Sequence, residues 1–99
     1  MTESALEQKL KSYVESLGGL YWKFTSPSMT GVPDRICLFK GGHVVFVEWK
    51  RPGKLSGLSE KQKIIRKKLT ERGFTVLVVD NEILFKQCID TLMENWNDI

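Results

Sequence analysis

The sequence predicts a single α/β domain, a mixed β-sheet flanked by helices in the order α-β-β-β-α-β-α. Three features predict it. Two apolar runs, 34–40 and 43–50, are separated by Gly41-Gly42, a hairpin signature with turn residues that accept positive φ. Val44-Val45-Phe46-Val47 is apolar at every position, as in a central strand covered on both faces. The apolar run 74–79 follows a helical connection, and strands joined in that way pair in parallel.

The elements follow in order. Leu6, Leu10, Tyr13, Val14 and Leu17 share one face of a helix over 4–17, ended by Gly18-Gly19. The aromatic and apolar run 20–24 reads as a short strand. The segment 25–33 holds two prolines and a glycine among small polar residues and reads as a loop. After the hairpin, 51–57 is a polar, glycine-containing loop. A helix over 59–72 points Ile64, Ile65 and Leu69 inward and stops at Gly73. Asp80 or Asn81 then caps a last helix carrying Leu84, Phe85, Cys88, Ile89, Leu92, Met93 and Trp96.

Ninety-nine residues, 41% of them hydrophobic, suffice for one modest core and exclude a disordered chain. No run is long and apolar enough to span a bilayer, and Met1-Thr2-Glu3 does not open a secretory signal, so a cytoplasmic protein is expected. Cys37 and Cys88 sit inside apolar patterns and read as reduced thiols. With one histidine, His43, in a turn and no CxxC, the sequence excludes a structural zinc site and a serine-histidine triad.

The net charge of +3 is unevenly spread. Between Lys50 and Arg72 nine bases face two acids, whereas beyond Gly73 five acids face one base. Such segregation suits one face to a polyanion, although a lysine-rich helix can simply be a solvated face.

The chemistry concentrates at the hairpin's open end. Asp34 begins the first strand, while Glu48 and Lys50 share a face at the end of the second, so both carboxylates arrive together and can share an ion. Hard divalent cations take one or two carboxylates plus carbonyl oxygens, and the backbone C=O of Trp49 is available as a third ligand. Lys50 would orient a water or steady negative charge. Alternatives are a turn role for Asp34 and a cross-strand pair for Glu48 and Lys50, but charges ending a buried strand are costly unless paired or bound to metal.

Gly31-Val32-Pro33-Asp34-Arg35, Val47-Glu48-Trp49-Lys50 and the Ser-x-x-Gln of 59–62 together resemble the VRR-NUC (virus-type replication-repair nuclease) domain of the PD-(D/E)xK nuclease superfamily. The resemblance implies a restriction-endonuclease-like α-β-β-β-α-β core, to which the last helix, from about Asn81, is an addition. It implies that Asp34 and Glu48 bind Mg²⁺ or Mn²⁺ with the Trp49 carbonyl, that Lys50 is the catalytic lysine, that Glu7 is a further acid near the metal, and that Gln62 faces the site. Trp49 departs from the family, in which an aliphatic or smaller aromatic residue is usual. Relatives of this size imply a homodimer that cuts branched DNA such as Holliday junctions or flaps.

Ser4-x-x-Glu7 and Ser59-x-x-Gln62 are also capping boxes, which gives Glu7 and Gln62 local uses. Lys23, Arg35, Arg51, Lys54, Lys61, Lys63, Arg66 and Lys67 are the candidate DNA contacts, with Lys23 alternatively in solvent. Phe85, Met93 and Trp96 would form the dimer interface or close the monomer core. The expected activity is metal-dependent phosphodiester hydrolysis; a non-catalytic nucleic-acid-binding module of the same fold is the alternative.

Overall fold

The computed structural model describes residues 3–54 and 57–97; Met1, Thr2, Leu55 and Ser56 of the predicted 51–57 loop, Asp98 of the acidic tail and Ile99 lie outside the described residues. The elements are α1 (Glu3–Ser16), β1 (Leu20–Lys23), β2 (Arg35–Phe39), β3 (His43–Trp49), α2 (Glu60–Glu71), β4 (Thr75–Val79) and α3 (Glu82–Asn97), in the expected order. The sheet runs β1-β2-β3-β4, an antiparallel meander to which β4 adds in parallel beside β3. Gly41 and Gly42 make the tight turn at φ +88° and +77°, a region that costs residues with a Cβ.

The two faces of the sheet are covered unequally. On one, Leu10 and Val14 of α1 and Phe85 and Ile89 of α3 pack on Tyr21, Cys37, Phe39, Val45, Val47 and Val79, forming the core. Period-two alternation puts the next residues on the other face, where Phe46 packs against Phe24 and Phe74 at ring distances of 5.6 and 5.8 Å. Among the described helices α2 alone flanks this face, and it packs chiefly on β4 at the sheet edge. The prediction that Ile64 points inward is therefore corrected. Ile64 is 53% exposed, Ile65 and Leu69 are half-buried, and α2 has no fully buried residue, because a helix placed over an edge strand meets little sheet. Leu20 and Trp22 on β1 are left about half exposed on the same face.

Both cysteines are unpaired, and burial pushes the Cys37 thiol up to about 12, so it is inert packing. His43 stacks on Trp96 at 4.2 Å and 7°, so the turn histidine serves packing. Among the described residues no helix is long and apolar enough to cross a membrane.

Candidate active site

The strand register brings the two acids together. Arg35 pairs with Val47, so one rung further along the hairpin Asp34 stands opposite Glu48. Buried Pro33 precedes this point, and having no N–H it leaves no donor unsatisfied there. The Asp34 carbonyl accepts from Phe24 N–H at 2.9 Å and from Arg35 Nη1 at 3.0 Å, and its Oδ2 accepts from the backbone N–H of Trp49 at 2.8 Å. The main chain of β3 thus holds the side chain that begins β2.

Glu48 is 5% exposed, the one buried charged residue among the described residues, and its Oε1 accepts from Gln62 Nε2 at 3.0 Å. The Gln62 Oε1 accepts from Lys50 Nζ at 2.9 Å and from Ser59 N–H at 2.9 Å. Two donors on one side fix the amide orientation. Ser59 Oγ accepts from Gln62 N–H at 3.1 Å, which completes the capping box. The two readings of Gln62 thus coincide: the oxygen caps the helix and holds the lysine, while the nitrogen holds the buried glutamate.

Helix α2 is set against the motif by Gly31. Its φ is +89°, and a Cβ there would lie 2.8 Å from the Lys61 carbonyl carbon, so only glycine lets this loop press on the first turn of α2 beside Gln62. The sequence signal for that contact was the Gly-x-Pro-Asp-Arg pattern itself.

Burial, then the Asp34 charge and a hydrogen bond with Asp34, push the Glu48 carboxyl up to about 7, against the pull of the Lys50 ammonium. A folded state that holds a proton more tightly than the unfolded chain is stabilised below the unfolded-state pKa, and it loses that stabilisation as pH rises through the folded value. In chelator, stability should therefore fall from about pH 4.5 to about pH 7 on account of Glu48. The full extent is on the order of 1–3 kcal/mol. Thermal melts across that window check it: the wild-type Tm should fall relative to that of Glu48→Gln, and parallel curves would refute the assignment.

Two facing carboxyls that compete for a proton also suit a cation. Carboxylate oxygens of this kind, with a backbone carbonyl, are the donors that a divalent ion of the Mg²⁺ class accepts. Among the described residues no group of three His, Cys, Asp or Glu side chains that could hold a metal lies together, and the Glu7 carboxylate is engaged by Arg35 and Tyr21.

Glu7 lies on the opposite face. Its Oε1 meets Arg35 Nη2 at 3.1 Å, and its Oε2 accepts from Arg35 Nε at 3.2 Å and Tyr21 Oη at 2.9 Å. The Tyr21 hydroxyl in turn accepts from Trp49 Nε1 at 3.2 Å. Sequence reasoning missed Tyr21, because its hydroxyl is hidden in an apolar strand pattern, and it left open what lies behind Trp49. The indole packs at 5.7 Å from the ring of Phe85.

The predicted DNA contacts divide between two regions. Lys23 and Arg35 line a cleft of about 520 Å³ with Lys11 and Glu7, while Lys63, Arg66 and Lys67 line a depression of about 290 Å³ on α2. Arg51, Lys54 and Lys61 are exposed between them in the chain, with the 51–54 turn tied down by Gly53 N–H donating to Asp80 Oδ2 at 2.9 Å. Lys63 and Lys67 pair with Glu60 and Glu71 at 3.2 and 3.9 Å, exposed contacts worth little each.

No family model matches the sequence. The chain is similar to "Putative nuclease p44" of Acyrthosiphon pisum secondary endosymbiont phage 1, with 37% identity over 82 residues that cover 83% of this chain and 86% of that protein. It is also similar to a solved structure described as a VRR_NUC domain, with a TM-score of 0.72 and 30% identity, covering 93% of this chain and 94% of the other.

Proposed function

The chain belongs to the VRR-NUC family, and on that premise we propose that it is a metal-dependent DNA endonuclease, a single domain over residues 1–99 that hydrolyses phosphodiester bonds. The observation that carries the reading is the hydrogen-bonded chain Glu48–Gln62–Lys50 directly beside Asp34. Two acids and a lysine at one strand end, each held by a defined partner, form a prepared edge rather than a chance cluster.

Asp34, Glu48 and the Trp49 carbonyl would hold Mg²⁺ or Mn²⁺. When bound, such a cation lowers the pKa of a water and polarises a phosphoryl oxygen. Lys50, steadied by Gln62, stabilises the negative charge that builds on the phosphate. Gln62 itself keeps Glu48 and Lys50 in register across the strand end. Lys61, Lys63, Arg66 and Lys67 of α2, with Arg51 and Lys54 of the loop before it, hold backbone phosphates on one side of the edge, and Lys23 on the other. Contacts of this kind give salt-dependent affinity and little sequence information, so the substrate is selected by shape, which favours branched DNA.

The enzyme acts as a homodimer in the cytoplasm, which is the host's cytoplasm if a phage encodes it. Support for a second copy comes from Leu20 and Trp22, apolar and about half exposed on the thinly covered face of the sheet. Phe85 is fully buried in the core, and Trp96 packs on Phe39 and His43, so these two candidates close the monomer.

The testing experiment is a cleavage panel over junction, flap, nicked and linear DNA with Mg²⁺, Mn²⁺ or chelator at rising salt. The expected result is cutting with either metal only, preferring branched forms and weakening as salt rises. Binding without cleavage of any substrate would favour the non-catalytic module.

A further inference from the structure

We propose that Glu7, Tyr21 and Arg35 are positioning residues, which close a hydrogen-bonded ring through Asp34 and Trp49 and so set the spacing of the acid and the carbonyl at the catalytic edge. The inference rests on the nuclease reading above and adds three residues to its machinery.

The ring can be followed bond by bond. Trp49 N–H donates to Asp34 Oδ2 at 2.8 Å. From the same residue the indole Nε1–H donates to Tyr21 Oη at 3.2 Å. Tyr21 donates to Glu7 Oε2 at 2.9 Å. The Arg35 fork grips both Glu7 oxygens, at 3.1 and 3.2 Å, and its Nη1 returns to the Asp34 carbonyl at 3.0 Å. Asp34 and Trp49 therefore each carry two bonds of the ring, one on the main chain and one on the side chain.

The chemistry of each member suits this use. Both Glu7 oxygens are engaged, so its charge is spent on Arg35 and Tyr21 on the face of the sheet away from Glu48. The Arg35 side chain is 21% exposed and its bidentate fork is committed to Glu7, which makes it a poor free phosphate contact but a rigid brace. Tyr21 is 6% exposed, and its phenol joins an acceptor and a donor where a phenylalanine would leave the Trp49 indole N–H unpaired and Glu7 held by Arg35 alone. Trp49 alone among apolar side chains supplies an N–H at this place. Outer partners of this kind orient ligand-bearing residues without touching the reacting atoms.

The test uses the full-length protein and three readouts. Tyr21→Phe should shift the Trp49 indole N–H resonance in ¹⁵N-resolved NMR, with or without metal, because that proton loses its acceptor. It should lower single-turnover cleavage by about 10-fold and weaken Mn²⁺ binding similarly, with DNA affinity unchanged. Arg35→Gln and Glu7→Gln should each cost a comparable factor, and the Tyr21→Phe/Arg35→Gln double variant little more than the worse single, since one broken bond already opens the ring. Arg35→Lys should fail to rescue, because it keeps the charge but loses the fork. An unmoved indole resonance, or losses that multiply in the double variant, would overturn the ring. So would a Glu7→Gln loss of Mn²⁺ affinity far beyond that of Tyr21→Phe, which would make Glu7 a direct ligand. A wild-type protein that cuts nothing would defeat the nuclease reading while leaving the indole resonance to decide the ring.

Discussion

Asp34→Asn is expected to lower single-turnover cleavage by about 10³-fold or more, a loss of about 4 kcal/mol in transition-state stabilisation. The asparagine keeps the shape of the side chain and an oxygen for the Trp49 N–H, so the hairpin end stays closed. What it removes is the negative charge that faces buried Glu48. The metal-free variant should therefore melt no lower than the wild type, and above neutral pH somewhat higher, because Glu48 no longer ionises against a neighbour. DNA binding in chelator should persist. Lost cleavage with an unchanged or raised Tm marks a site residue; lost cleavage with a collapsed Tm would make Asp34 a structural residue. Lys50→Ala should give a comparable catalytic loss, with Gln62 left to its capping role.

Phe85→Ala carries the second large effect, on stability. The ring is fully buried, stands edge-on to Tyr21 at 6.4 Å and packs on Trp49 at 5.7 Å. Truncating it removes about 3–5 kcal/mol, through lost burial and the cavity left behind. Domains of this size hold about 5–15 kcal/mol in total, so the variant should melt more than about 10 °C lower. Denaturant melts and light scattering separate the two roles that the sequence allowed for this residue. A core position lowers the unfolding midpoint and leaves the assembly mass of the folded fraction unchanged, whereas an interface position would change the mass and spare the midpoint.

Much of this was legible in the chain because local rules agreed. Gly41-Gly42 between apolar runs dictated the hairpin, and the period of two then forced Asp34 and Glu48 to one end. Ser59-x-x-Gln62 identified a helix start, and the distance from there to Glu48 and Lys50 is short enough for one amide to serve both uses. What could not be read depended on how separate elements lean on each other. The apolar face of α1 turns it toward the sheet, but where the helix sits along the strands decides that Glu7 meets Arg35 and Tyr21, and nothing within residues 4–17 encodes that placement. Ile64 belongs to one apolar set with Ile65 and Leu69 in the sequence, but it stands five residues before Leu69, off the face that Ile65 and Leu69 share. Burial also requires something to lie beneath the helix. Leu20 and Trp22 had the right alternation for a strand, and only the placement of α2 over β4 left that side of the sheet bare.

The bond from Lys50 N–H to the Val79 carbonyl, at 2.9 Å, belongs to the parallel pairing of β3 with β4. Its consequence concerns the order of assembly. The hairpin that joins Asp34 to Glu48 closes through a three-residue turn, Lys40 to Gly42, and can form early in folding. Parallel docking of β4 must wait for the whole α2 crossover, so the hairpin can join the two acids before the lysine is pinned. In the native protein the same seam sits at the sheet edge. Fraying of β4 would release Lys50 before it disturbed the acids, and amide exchange at Lys50 should therefore be faster than at Val45 or Val47.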